Sequence, residues 1–133
     1  MMDRNTARND GKQFAVPVAA GAVIGGGLMV VLDDKGLAHE GQINTGWRVI
    51  GLSDEAYDNS TGKDGEISAM VRRGEAFYFD NDPASPVTQV MVGKVCYLKN
   101  AYTVTATAQA GGSVAAGRVL TVSPEDGVQV LIE

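Results

Sequence analysis

Asp58-Asn59-Ser60-Thr61-Gly62-Lys63-Asp64-Gly65-Glu66-Ile67-Ser68-Ala69-Met70-Val71-Arg72-Arg73-Gly74-Glu75-Ala76-Phe77-Tyr78-Phe79 is the stretch that decides the fold class. Its first part, Asn59 to Gly65, is dense in residues that tolerate tight-turn or left-handed backbone. Ile67, Ala69 and Val71 then alternate with Ser68, Met70 and Arg72, the period of a strand with one buried face. Arg73-Gly74 breaks the run, and Ala76 to Phe79 resumes it with strong strand formers. The expectation is a polar turn followed by a hairpin. The residues between the strands are catalytically bland, which points to a scaffold.

The same alternation of short apolar runs and turn residues extends in both directions. Upstream, Phe14 to Val18 reads as a short extended piece in which Pro17 restricts pairing to an edge or a partner molecule. Leu28 to Leu32 has strand length, Asp33-Asp34-Lys35-Gly36 is a hairpin turn, and Leu37-Ala38-His39 starts the return. Trp47 to Leu52 is another expected strand. Downstream, Asp80 to Pro86 is a polar loop, and Val87 to Val92 is either a short strand or one irregular helical turn. Strands are expected at Lys94–Leu98, Tyr102–Ala108, Gly117–Val122 and Val128–Ile132, with a break at Gly111-Gly112 and a turn at Ser123–Gly127. No long amphipathic helix and no repeat of fixed period interrupts this pattern. The fold class is therefore all-β, a compact barrel or sandwich-like domain over residues 21–133, preceded by an extended N-terminal arm over residues 1–20.

Composition agrees. A chain of 133 residues with 17 glycines and few aromatics suits many short strands joined by tight turns, and is long enough for one core without disulfides. The net charge of −5, with no basic cluster, argues against direct binding of nucleic acid through its phosphates. The lone Cys96 allows no intrachain disulfide, in keeping with folding in a reducing cytoplasm. Gln13 to Leu32 carries no charge until Asp33, and charge alone would admit a signal peptide or membrane span. Pro17, Gly21, Gly25, Gly26 and Gly27 interrupt it, so short strands around a turn are expected instead.

Chemistry-bearing constellations are thin. A single histidine, His39, leaves no two-histidine metal site, and its expected role is structural. Cys96, in Val95-Cys96-Tyr97, reads as a small packed hydrophobe. The Gly25–Gly27 run lacks the Lys-Ser/Thr pair of a phosphate loop. Asp58, Asn59, Asp64 and Glu66 do not follow the alternate spacing of a calcium loop. The carboxylate pairs at Asp33-Asp34, Asp54-Glu55, Asp80/Asp82 and Glu125-Asp126 all fall in expected turns. No enzyme activity, cofactor or metal is expected.

The order Asp58-Asn59-Ser60-x-Gly62-x-Asp64-Gly65-Glu66, then Val71-Arg72-Arg73-Gly74-x-x-Phe77, resembles small capsid cement (head decoration) proteins of tailed bacteriophages. Collinear fragments extend the resemblance over nearly the whole chain: Asn5-Thr6-x-Arg8-x-Asp10-Gly11, Val16-Pro17-Val18-Ala19-Ala20-Gly21, Val92-Gly93-Lys94-x-Cys96-Tyr97, Ala116-Gly117-Arg118-Val119 and Asp126-Gly127-Val128-x-Val130. It implies a small β-rich body with an N-terminal arm, made in the host cytoplasm and carried on the virion. There it would bind the outer surface of the phage major capsid protein and stabilise the head, as a homo-oligomer, a trimer ahead of a dimer. Carried onto this chain, the capsid or intersubunit contacts would be Arg4, Asn5, Arg8, Phe14, Val16 and Val18. The charged and amide groups supply directional hydrogen bonds, and the apolar residues at alternate positions supply anchors for strand addition. The alternative is a phage tail or baseplate β-module, or a virion-displayed domain binding host-surface carbohydrate, with Trp47, Tyr57, Tyr78 and Tyr102 as the aromatic suppliers.

Overall fold

The computed structural model describes residues 2–109 and 112–133, and every strand below lies within them. Twelve strands follow in chain order: β1 (Gln13–Pro17), β2 (Val23–Ile24), β3 (Met29–Leu32), β4 (Ala38–Glu40), β5 (Arg48–Ser53), β6 (Tyr57–Asp58), β7 (Ser68–Arg72), β8 (Glu75–Asn81), β9 (Val95–Asn100), β10 (Thr103–Thr105), β11 (Ala115–Ser123) and β12 (Gly127–Ile132). The one helical element among the described residues is a 3-10 turn at Gln89–Met91, which resolves the ambiguity over Val87 to Val92. The protein is all-β.

The strands form two packed bodies. A five-stranded sheet has the order β1-β7-β5-β3-β4, and a closed barrel has the order β10-β8-β12-β11-β9; β2 and β6 pair apart from both. The sheet curls, because Val18, just past β1, makes a parallel bridge to Ala38 on the far edge strand. Inside the curl lie Val16, Val18, Ile24, Val30, Ala38, Ala69 and Val71. The larger core fills the barrel and the space beneath the sheet, with Met29, Val31, Phe79, Leu98, Val104, Val119, Val128 and Val130 at its centre. Strand β3 is thus buried on both faces, Val30 facing one core and Met29 and Val31 the other. That is the physical reason its sequence is a continuous apolar run rather than an alternation. Burial of each such side chain contributes about 1.5–3 kcal/mol.

Two expectations are corrected here. The turn at Arg73-Gly74 does not make a hairpin: β7 belongs to the curled sheet and β8 to the barrel. The Arg73 N–H donates to Lys12 O at 2.8 Å within the sheet, while the next N–H, of Gly74, donates to Ile132 O at 2.6 Å in the barrel. Gly74 makes that change of direction at φ +75°, backbone that an L side chain resists. The second correction concerns the arm. Residues 13–20 are built into the body: β1 pairs antiparallel with β7 from Gln13↔Arg72 to Pro17↔Ser68. Val16 and Val18 are 7% and 0% exposed. They are buried because their side chains fill the curl that Val18 itself closes. Residues 2–12 form no strand or helix and are exposed throughout.

The remaining strands fall close to expectation, with one shortened: the run from Tyr102 to Ala108 pairs only over Thr103–Thr105. It joins β8 in parallel, Thr103↔Asp80 and Val104↔Asn81, in a barrel otherwise antiparallel. The break expected at Gly111-Gly112 falls partly outside the described residues, since Gly111 is not among them.

Candidate functional site

The residues that the resemblance assigns to contacts are divided by the fold. Arg4, Asn5 and Arg8 lie in the exposed segment 2–12, with no side-chain hydrogen bond or ion pair shown for them. Phe14 is half-buried against the inner core of the curled sheet, and Val16 and Val18 belong to that core. An apolar side chain already packed in its own monomer cannot also anchor a partner, so Val16 and Val18 are withdrawn as contacts. Phe14 is withdrawn as a free anchor for the same reason.

What remains is the segment 2–12 and the strand it leads into. Within the segment, Asn9 Oδ1 accepts from Gly11 N–H at 2.8 Å, and Asp10 Oδ1 accepts from Lys12 N–H at 3.1 Å. These local side-chain turns bend the chain just before β1. At the root, the Gln13 amide donates to Asp54 Oδ2 at 2.5 Å, and the other oxygen of Asp54 accepts from Arg72 Nε. Hydrogen bonding to Asp54 holds the Arg72 guanidinium above its ordinary value. Thus one carboxylate fastens β1 to β7 on the exposed face. Arg72-Arg73, a basic pair in the sequence, is half neutralised in this way.

The opposite end of β1 is fastened by the Asp58–Gly65 turn. The buried Asn59 side chain donates to Val18 O, Ala19 O and Lys63 O at 3.3, 3.0 and 2.9 Å. Asp64 Oδ1 accepts from Ala20 N–H at 2.8 Å. The residues that look like calcium ligands in the sequence therefore serve as a main-chain clamp. Among the described residues, no group of three His, Cys, Asp or Glu side chains is placed to hold a metal ion.

A second cluster was not anticipated from sequence. His39 Nε2 donates to Asp33 Oδ2 at 2.8 Å, and the His39 ring stacks on Trp47 with centroids 4.5 Å apart at 26°. Burial opposes ionisation of Asp33, yet the N–H groups of Leu37 and Lys35 and the His39 ring together hold its carboxyl below the usual value. The cluster ties the β3–β4 turn to the start of β5. An open depression of about 330 Å³ beside it is lined by Ala19, Asp33, Lys35, His39, Trp47 and Asp64, among others. One face of Trp47 is covered by His39, which leaves little of the indole as a platform for a sugar ring. Among the described residues, no Ser, Thr or Cys lines this depression.

Cys96 is fully buried, and burial pushes its thiol up to about 11, so it packs as a small hydrophobe. Tyr78, on β8, and Tyr102, in the turn between β9 and β10, are 58% and 54% exposed. No helix among the described residues is long and apolar enough to cross a membrane. What the sequence reading missed is the main chain of β1 itself, since a strand's unpaired edge leaves no mark in residue types beyond the presence of Pro17. No family model matches the chain, and no curated protein or solved structure matches it either.

Proposed function

We propose that this protein is a structural component of a phage virion, a decoration protein that binds the outer surface of the major capsid protein lattice and reinforces the head. The observation that carries the reading is the exposed segment 2–12, with Arg4, Asn5 and Arg8, joined to a compact β body at Lys12, whose C=O accepts from Arg73 N–H. A segment of this kind contributes little as a single contact, because docking costs its conformational freedom. Repeated on a lattice, many tethers raise effective concentration and offset that cost. The body supplies rigidity and the segment supplies attachment, which together would resist outward pressure on a shell.

Deleting residues 2–12 tests this. The truncated protein is expected to keep the melting temperature of the full chain, since the segment contributes nothing to either core, and to lose co-sedimentation with undecorated heads. Normal decoration by the truncated protein would overturn the reading. The exposed Tyr78 and Tyr102 favour one second reading, a carbohydrate-binding module displayed on the virion. Binding on a glycan array that Tyr78→Ala and Tyr102→Ala together abolish would select it.

A further inference from the structure

Strand β1 has one strand partner, β7, and its other edge is bare from Gln13 to Ala15. The bonds flanking the pair fix which groups point outward. Arg73 N–H donates to Lys12 O, and Val18 N–H donates to Ile67 O, so the even-numbered residues of β1 face β7. The odd-numbered residues face away. The outward groups left open are therefore the N–H and C=O of Gln13 and of Ala15; the C=O of Pro17 also points outward, but the Val18–Ala38 parallel bridge seats the Ala38 N–H on it. All three residues are exposed. Beyond Ala15 this same edge is closed by β4, because Val18 bridges to Ala38 and Ala19 N–H donates to Ala38 O at 3.1 Å. Proteins that stay monomeric guard an open edge with charge, bulges or a covering loop. This one carries no charged residue in β1, and Pro17 guards only one end.

We propose that this edge accepts residues 3–9 of a second copy as an added antiparallel strand, so that the protein assembles by exchange of its N-terminal segments. The segment fits in length, composition and charge. Seven extended residues span about 23 Å, more than enough to cover the roughly 10 Å of open edge from Gln13 to Ala15. Residues 3–9 contain neither Pro nor Gly, so every main-chain group is available for pairing. With Thr6 opposite Ala15, Arg8 stands opposite Gln13, beside Asp54, and Asp10 comes next to Lys12 and Arg73. That register makes two main-chain bonds each at Gln13 and Ala15.

The segment does not take its own edge in the single chain. The N–H groups of Gly11 and Lys12, which would close a hairpin loop back onto β1, are instead held by Asn9 and Asp10. Gly11, at φ +69°, sits in the bend between the segment and β1. The segment is thus left free beside an acceptor of matching register on any neighbour.

The proposal goes beyond the shell reading and is tested without capsids, so either can fail alone. Sedimentation of the full chain is expected to show a concentration-dependent oligomer. Deleting residues 2–10 should leave a folded monomer. Ala15→Pro removes an outward N–H while sparing every bond to β7. It is expected to weaken association about tenfold or more with the far-ultraviolet spectrum unchanged. A Thr6→Cys/Ala15→Cys variant should give interchain disulfides on oxidation, the buried Cys96 taking no part. A full chain that stays monomeric at high concentration would overturn the proposal. So would an Ala15→Pro oligomer as tight as the parent, or a cysteine pair that closes only within one chain.

Discussion

Replacing Asn59 by alanine is expected to destabilise the fold by about 2–3 kcal/mol. The side chain is 2% exposed, and its amide nitrogen faces three carbonyls, those of Val18, Ala19 and Lys63. Two hydrogens serve three acceptors, so two good bonds and one shared bond are lost. None of the three carbonyls is stranded: Val18 O still accepts from Gly65 N–H, Ala19 O from Ala22 N–H, and Lys63 O from Glu66 N–H. The full penalty for an orphaned buried acceptor therefore does not apply. The loss is about 1 kcal/mol per bond plus a small void. For a 133-residue chain this corresponds to a fall in Tm of about 7–11 °C. Asn59→Asp should cost more, because a carboxylate would then point oxygen at three carbonyl oxygens. Thermal melts read the magnitude, and amide exchange reads the location: protection should fall first at Ala20, Gly21 and Gly65, whose N–H groups bond across the clamp. An alanine variant within about 0.5 kcal/mol of the parent, or an aspartate variant no worse than alanine, would refute the clamp.

The remaining predictions concern titration and reactivity. The Asp33 carboxyl is held below its ordinary value of 3.8 by the N–H groups and the imidazole around it, so its contribution to stability is complete above that value and is lost as pH falls through the lower, folded one. Asp33→Asn should be less stable at neutral pH and show a shallower loss of stability below about pH 4 in urea titrations. An unchanged acid slope would contradict the assigned contacts. Cys96, with its thiol pushed up to about 11, should be about one part in a thousand thiolate at pH 8 and resist alkylation in the native state. In guanidinium it should react fully, and rapid native labelling would mean that the barrel opens locally.

The all-β class was legible because strand period and turn chemistry are local. Ile67, Ala69 and Val71 alternate with exposed neighbours, and Val128, Val130 and Ile132 alternate with half-buried ones in β12. The hairpin turn at Asp33–Gly36 was legible for the same reason, down to Asp33 Oδ1 accepting from Lys35 and Leu37. What was hidden is which strand pairs with which. Arg73-Gly74 breaks a strand in the same way whether the chain doubles back or crosses to another sheet, and only long-range bonds to Lys12 and Ile132 distinguish the two. The parallel pairing of β10 with β8 is equally silent in residue types.

The segment 1–20 was misjudged for a more general reason. Phe14, Val16 and Val18 at alternate positions mark a strand that needs a partner, and alternation says nothing about whose sheet provides it. Here the partner is β7 of the same chain, so the apolar half of the segment is committed and only the polar half is free. That division alters the physics of attachment. A docking segment with apolar anchors would gain affinity from burial and would be insensitive to salt. Residues 2–12 have no such anchors apart from Met2, and must bind through main-chain pairing and through Arg4, Arg8 and their like. Their association should therefore weaken as ionic strength rises, while the buried cores that hold β1 in place are screened far less.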